Sequence, residues 1–99
     1  MRRQPRAQPM RELPAVAGFQ SYARFERVTP EANGQRFYVL TLQPTLLGDL
    51  ALVRTWGRIG TQGQQRLSGS YPDRDTAQPL VERLVRRRLT RRYELVDWT

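Results

Sequence analysis

Cysteine, histidine and lysine are absent from the 99 residues. Without cysteine there are no disulfides and no thiolate metal sites. Without histidine the usual imidazole base and metal ligand are gone. Without lysine there is no Schiff-base chemistry, no Ser–Lys dyad and no P-loop lysine. Nine carboxylates, four tyrosines and scattered hydroxyls remain as catalytic tools. Most of the carboxylates sit beside arginines, which hold their pKa down and make them poor general acids at neutral pH. The chain is therefore expected to be non-enzymatic, with no metal and no cofactor. Long apolar runs are also missing. A membrane-spanning helix needs about 18 consecutive apolar residues, so none is expected. The N-terminus lacks the apolar run of a signal peptide. A cytoplasmic location is expected.

What is present is positive charge. All 17 basic residues are arginine, and the net charge is +8. That balance favours acidic partners. The planar guanidinium favours bidentate phosphate contacts and stacking on flat groups. A GC-rich genome also yields arginine over lysine, but it does not account for the net charge.

Ninety-nine residues suffice for one small domain with an economical core. Residues 1–18 carry Arg2, Arg3, Arg6 and Arg11 with Pro5, Pro9 and Pro14, and they predict a disordered basic tail. Residues 19–99 then form the domain. "FQSYARFERV" (Phe19–Val28) reads as a strand, and "TPEANG" (Thr29–Gly34) is turn chemistry. "RFYVLTL" (Arg36–Leu42) is aromatic and β-branched, and its near-continuous apolarity predicts a central strand. "QPTLLGD" (Gln43–Asp49) is a loop and "LALVRTW" (Leu50–Trp56) a third strand. Alternation puts Leu50, Leu52, Arg54 and Trp56 on one face of it. "QQRLSGSY" (Gln64–Tyr71) is a fourth strand.

The period then changes. Pro72 and Asp73 break the sheet, and Asp75 is the expected N-cap, with Gln78 as its partner. Ala77, Leu80, Val81, Leu84, Val85 and Leu89 form a helical apolar stripe. "YELVDW" (Tyr93–Trp98) either returns as a short strand or covers an edge. The prediction is an α+β fold: a small antiparallel sheet of about four strands with one C-terminal α-helix packed on it.

"TWGRIGTQGQ" (Thr55–Gln64) is the segment with the most to explain. Gly57, Gly60 and Gly63 suit a tight strand reversal, and Trp56 at a strand end can cap the core. Yet Gly57 leaves one side of the Trp56 ring open, and Arg58 projects from the same face two residues on. A flat apolar ring beside a guanidinium suits a nucleotide: the ring packs on sugar or base, and the arginine forks onto phosphate. The stretch is neither a Walker A loop nor a dinucleotide fingerprint.

With its surroundings, this segment resembles the WGR domain. The tripeptide Trp56-Gly57-Arg58 is preceded by "NGQRFY" (Asn33–Tyr38) and followed by Gly60–Gln64 and by "VRRRLTRRYELV". The resemblance spans about residues 22–96. Members occur in DNA-dependent poly(ADP-ribose) polymerases and as small stand-alone bacterial proteins. The resemblance implies that Trp56 is a sugar platform near a strand break and Arg58 a phosphate or partner contact. Asn33, Arg36, Gly57 and Gln64 match motif positions near that surface. The polymerase catalytic domain has no counterpart here, so ADP-ribosylation is not implied. Where members often have glycine, this chain has Arg92.

The expected function is non-enzymatic nucleic-acid binding at DNA ends, nicks or gaps, with RNA as the other nucleic-acid partner and a nucleoid-associated location. A module docking an acidic protein is the alternative. Arg83, Arg86, Arg87 and Arg91 form a phosphate track if the helix turns them toward Trp56, and a solvated face if it does not. Oligomeric state is not legible from the sequence.

Overall fold

The computed structural model describes residues 13–30 and 34–99. In chain order the elements are α1 (Leu13–Val16), β1 (Tyr22–Arg27), β2 (Arg36–Pro44), β3 (Leu50–Arg58), β4 (Gln64–Tyr71), α2 (Arg74–Thr90) and β5 (Glu94–Trp98). The strands form one sheet in the order β4-β3-β2-β1-β5, every neighbour antiparallel. α2 follows the edge strand β4 and crosses one face to deliver β5 to the opposite edge. The α+β class and the helix on the sheet are as predicted.

The sheet has five strands rather than four. Glu94–Trp98 pairs along β1, with Ala23 opposite Trp98 and Glu26 opposite Glu94. The carbonyl of Thr99 accepts from the N–H groups of Gln20 and Ser21 at 2.6 and 3.2 Å, locking that edge. A five-residue segment is too short for its periodicity to announce a strand. The unpaired edge of β1 decides it.

β2 is the middle strand, and it is buried on both sides. Tyr38, Leu40 and Leu42 join the core under α2. Phe37 and Val39 alternate to the other face and are also buried. On the helix side, Ala23, Phe25, Leu40, Leu52 and Leu95 meet Ala77, Val81, Leu84, Val85 and Leu89. The last five belong to the stripe read from the sequence. Each fully buried Leu, Val or Phe here stabilises the fold by about 1.5–3 kcal/mol.

Residues 13–18 depart from the expected tail. Leu13, Val16 and Ala17, spaced i, i+3 and i+4, form one helical turn that buries with Phe19 against the core. Arg74 holds this turn by donating to the carbonyls of Ala17 at 2.7 Å, Phe19, and Gln20 at 3.3 Å. The rest of the expected tail, residues 1–12, lies outside the described residues.

The ends of α2 also differ from expectation. Its N-cap is Asp73, not Asp75: the backbone of Asp73 is extended, and its Oδ1 accepts from both the backbone N–H and the hydroxyl of Thr76, each at 2.8 Å. The helix therefore begins earlier, and Pro79 lies inside it on an exposed position. At the other end Arg92 adopts φ 67°. Its N–H donates to Leu89 and that of Tyr93 to Arg88, both at 3.0 Å, which is the paired arrangement of a Schellman motif. Glycine is the usual residue there, because a side chain is strained at positive φ.

Candidate nucleic-acid interface

Strand register sorts one end of the helix-side face into three rows. Arg27, Arg36 and Arg58 stand opposite one another on β1, β2 and β3. Phe25, Tyr38, Trp56 and Gln64 form the next row. Leu40, Arg54 and Arg66 form the third. Rows on one face are two residues apart, about 6.7 Å along a strand. An aromatic row thus runs between two arginine rows. Like charges directly opposite on a sheet are destabilising unless something shares them.

α2 closes over these rows with further arginines. Arg88 stacks over Tyr38 at 4.4 Å and over Tyr93 at 5.1 Å. Arg27 covers Tyr93 at 5.3 Å, and Arg54 lies 5.4 Å from the Trp56 ring. A cleft of about 210 Å³ results, lined by Arg27, Arg36, Trp56, Arg88 and Tyr93 together with Phe37 and Gly57. Among the described residues, every charged one lining it is an arginine. Burial pushes the Arg88 guanidinium below its ordinary pKa, and repulsion from Arg91 and Arg87 adds to this. Burial pushes the Tyr38 hydroxyl up, against the opposing pull of Arg88 and Arg54. The Nε atoms of Arg27, Arg54 and Arg88 are buried with no hydrogen-bond partner. A buried donor without an acceptor costs about 1–3 kcal/mol. All three guanidinium groups lie against aromatic rings instead: Arg27 on Tyr93, Arg54 on Trp56, and Arg88 on Tyr38 and Tyr93.

The glycines act in two different ways. Gly60 and Gly63 have φ of 95° and 73°, as a tight reversal requires. Gly57 does not, and sits within β3. A Cβ there would lie 2.8 Å from the Cα of Gly63 and 3.3 Å from Phe37. Its small size lets the β3–β4 turn fold back against the strand beside Trp56. Trp56 itself packs against the core while lining the cleft, so it both caps and presents a ring.

Among the residues singled out from sequence, Trp56, Gly57 and Arg36 line one cleft, with Arg58 directly opposite Arg36. Gln64 pairs opposite Trp56 and is exposed. Asn33 lies outside the described residues. Arg83 and Arg87 line a neighbouring cleft with Arg54 and Arg66, so part of the helical arginine row turns toward the Trp56 face. Arg86 and Arg91 are exposed and line neither cleft. Sequence reasoning missed Arg27, Arg66 and Arg88. For Arg88 the signal was available: it stands four residues after Leu84 and seven after Val81, on the buried stripe. No group of three or more His, Cys, Asp or Glu able to hold a metal is found among the described residues. Nor is any described helix long and apolar enough to cross a membrane.

The model of the WGR domain matches residues 21–97, which take in α2 and all of the sheet but Trp98. The chain belongs to the WGR family. In poly(ADP-ribose) polymerases this domain is a nucleic-acid-binding module rather than a catalytic one. One relative, "Uncharacterized protein y4dW" of Sinorhizobium fredii, is 37% identical over 68 residues. That match covers 69% of this chain but only 33% of the relative. No solved structure matches this WGR chain.

Proposed function

We propose that this WGR chain is a non-enzymatic module that grips the sugar–phosphate backbone of nucleic acid, with DNA ends, nicks or gaps as its target. Trp56 is the sugar platform, which Gly57 allows the turn to approach. Arg58 and Arg36 take phosphates, with Gln64 at the rim and Asn33 as a further backbone contact. Arg83 and Arg87 extend the phosphate contacts over the sheet, and Arg86 and Arg91 add long-range attraction. The observation that carries this reading is the aromatic row of Tyr38 and Trp56 held between two rows of arginines, with no carboxylate among the described residues that line the cleft beside it. Phosphates share out the repulsion between the arginines, and the ring supplies a flat apolar surface that backbone contacts alone lack. A nucleoid-associated, cytoplasmic location goes with this reading.

The test is a binding titration against intact, nicked and blunt-ended duplex, single-stranded DNA and duplex RNA at two salt concentrations. Affinity falls steeply with salt, each neutralised phosphate contributing a slope of about −0.9 in the log–log plot. Ring stacking contributes about 1–3 kcal/mol, so Trp56→Ala lowers the preference for nicked over intact duplex by roughly tenfold and bulk affinity by less. Arg58→Ala weakens both substrates. A Trp56→Ala protein that keeps the wild-type ratio sinks the platform role.

A further inference from the structure

A second cleft opens on the far side of Arg54 from Trp56. It measures about 440 Å³ and lies between β3, β4 and α2. Arg54 and Arg66 enter from the sheet, Arg83 and Arg87 from the helix, and leucines form its apolar wall. Among the described residues, all its charged lining groups are arginines. The WGR tripeptide takes no part in it.

Its most informative feature is a defect in the sheet. The β3–β4 ladder slips between Leu52, opposite Gly69, and Val53, opposite Leu67. Ser68 is the extra residue of a β-bulge. Bulges bend the strand and re-aim a side chain. Here the bulged Ser68 lines the cleft, and its Oγ is buried with no hydrogen-bond partner. The Nε of Arg54, in the same cleft, is likewise buried and unpaired. A bulge, an orphaned hydroxyl and an orphaned guanidinium NH each cost stability. Four converging cations add to that cost. The unpaired hydroxyl, the unpaired N–H and the repulsion among the cations are relieved together by one dianionic acceptor.

We infer that this cleft binds a phosphate monoester, with Ser68 and Arg54 as the inner donors and Arg66, Arg83 and Arg87 as the surrounding charge. A monoester carries close to two negative charges at neutral pH and three acceptor oxygens, whereas a backbone diester carries one charge. The volume exceeds that of a phosphate group, and the leucine wall accommodates the attached sugar or base. The ligand class is a nucleotide with a terminal phosphate, whether free or at a strand end. The cleft thereby deepens the proposed nucleic-acid reading, but its occupancy by a free nucleotide does not depend on duplex binding.

Thermal unfolding with millimolar AMP, adenosine or inorganic phosphate tests the site on the full chain. AMP raises Tm through ligand linkage, inorganic phosphate raises it less, and adenosine does not raise it. Ser68→Ala raises the Tm of the unliganded protein, because a buried unpaired hydroxyl is removed, yet lowers AMP affinity roughly tenfold. Arg87→Ala, on the exposed side of α2, lowers it by a similar factor of about ten. A 5′-phosphorylated single strand competing with AMP, where its dephosphorylated twin does not, assigns the ligand to strand ends. Equal failure of both strands assigns it to free nucleotides. The inference is overturned by an equal response to adenosine and AMP, by no AMP response, or by Ser68→Ala and Arg87→Ala proteins that bind AMP as the wild type does. If AMP binding holds while the Trp56-dependent nick preference is absent, the duplex reading fails and this one stands.

Discussion

Two arginines on the same helix show what separates structure from site. Arg74, in the first turn of α2, lies 5.0 Å over the Phe19 ring. Arg88, in the last turn, lies over Tyr38 and Tyr93. Burial lowers the pKa of both. There the likeness ends. Arg74 donates to the carbonyls of Ala17, Phe19 and Gln20, just after α1, and to Oε1 of Gln78 at 2.8 Å. Arg88 keeps a buried Nε without an acceptor and faces repulsion from Arg87 and Arg91. One cation is used up holding the fold together. The other rests on two tyrosine rings with its Nε unpaired, which leaves it open to the phosphate contact proposed above.

The largest effect follows from breaking the first half of that contrast. Arg74→Ala strands the carbonyls of Ala17, Phe19 and Gln20 and releases the α1 turn. Hydrogen bonds to a charged donor contribute about 1.5–3 kcal/mol each, and partial rehydration leaves a net loss of about 3 kcal/mol. For a domain of this size that lowers Tm by roughly 12–20 °C, measured by thermal denaturation. Nucleic-acid affinity measured well below the new Tm stays at the wild-type value. A matching loss of affinity with little loss of stability would place Arg74 in the site instead.

Arg88→Met reverses the pattern. It removes a desolvated cation and its repulsions while keeping an unbranched apolar stem against the tyrosines. Stability changes by less than about 1 kcal/mol, since lost cation–π contacts offset the relieved desolvation. Affinity for duplex DNA falls by roughly tenfold, the effect of one charged hydrogen bond. Denaturant unfolding and a binding titration on the same preparation check both halves.

What the sequence made legible follows the same division. The alternation of Leu50, Leu52, Arg54 and Trp56 and the stripe from Ala77 to Leu89 are long, periodic and local, and both appear as read. The α1 turn was hidden because a single turn has no period and Pro14 with its flanking arginines dominated the composition. β5 depended on an edge that only the assembled sheet provides. Arg88 was hidden inside the run Arg86-Arg87-Arg88, where charge alone reads as solvated. Its heptad position contradicts that, and position proved the better guide. Ser68 had no signal at all, because a bulge is a property of two strands in register.

Arg92→Gly sharpens the comparison in another way. The arginine end of α2 stores backbone strain at φ 67°, where the Schellman motif normally holds glycine. Substitution relieves about 1 kcal/mol, raising the denaturant midpoint. Arg92 lines neither cleft, so the preference for nicked duplex is unchanged.

The smallest effect is the dependence of the two ends on pH, which moves in opposite directions. At the N-terminal end, hydrogen bonds from the backbone and hydroxyl of Thr76 hold the Asp73 carboxyl below its ordinary pKa. A carboxylate depressed in the folded state stabilises it fully above the unfolded value of about 3.9, and that contribution disappears as pH falls through the lower folded value. Asp73→Asn keeps a capping oxygen but does not titrate. The stability gap between wild type and Asp73→Asn therefore narrows below about pH 3.9. At the other end, burial raises the pKa of Tyr38. Its contribution is complete below the unfolded tyrosine value of about 10 and is lost as pH rises through the higher folded one. Tyr38→Phe flattens that alkaline loss and leaves the acid limb alone. Stability curves that respond to both substitutions on the same limb would break the distinction, because the two ends of α2 would then be one electrostatic unit rather than a clamp and a site.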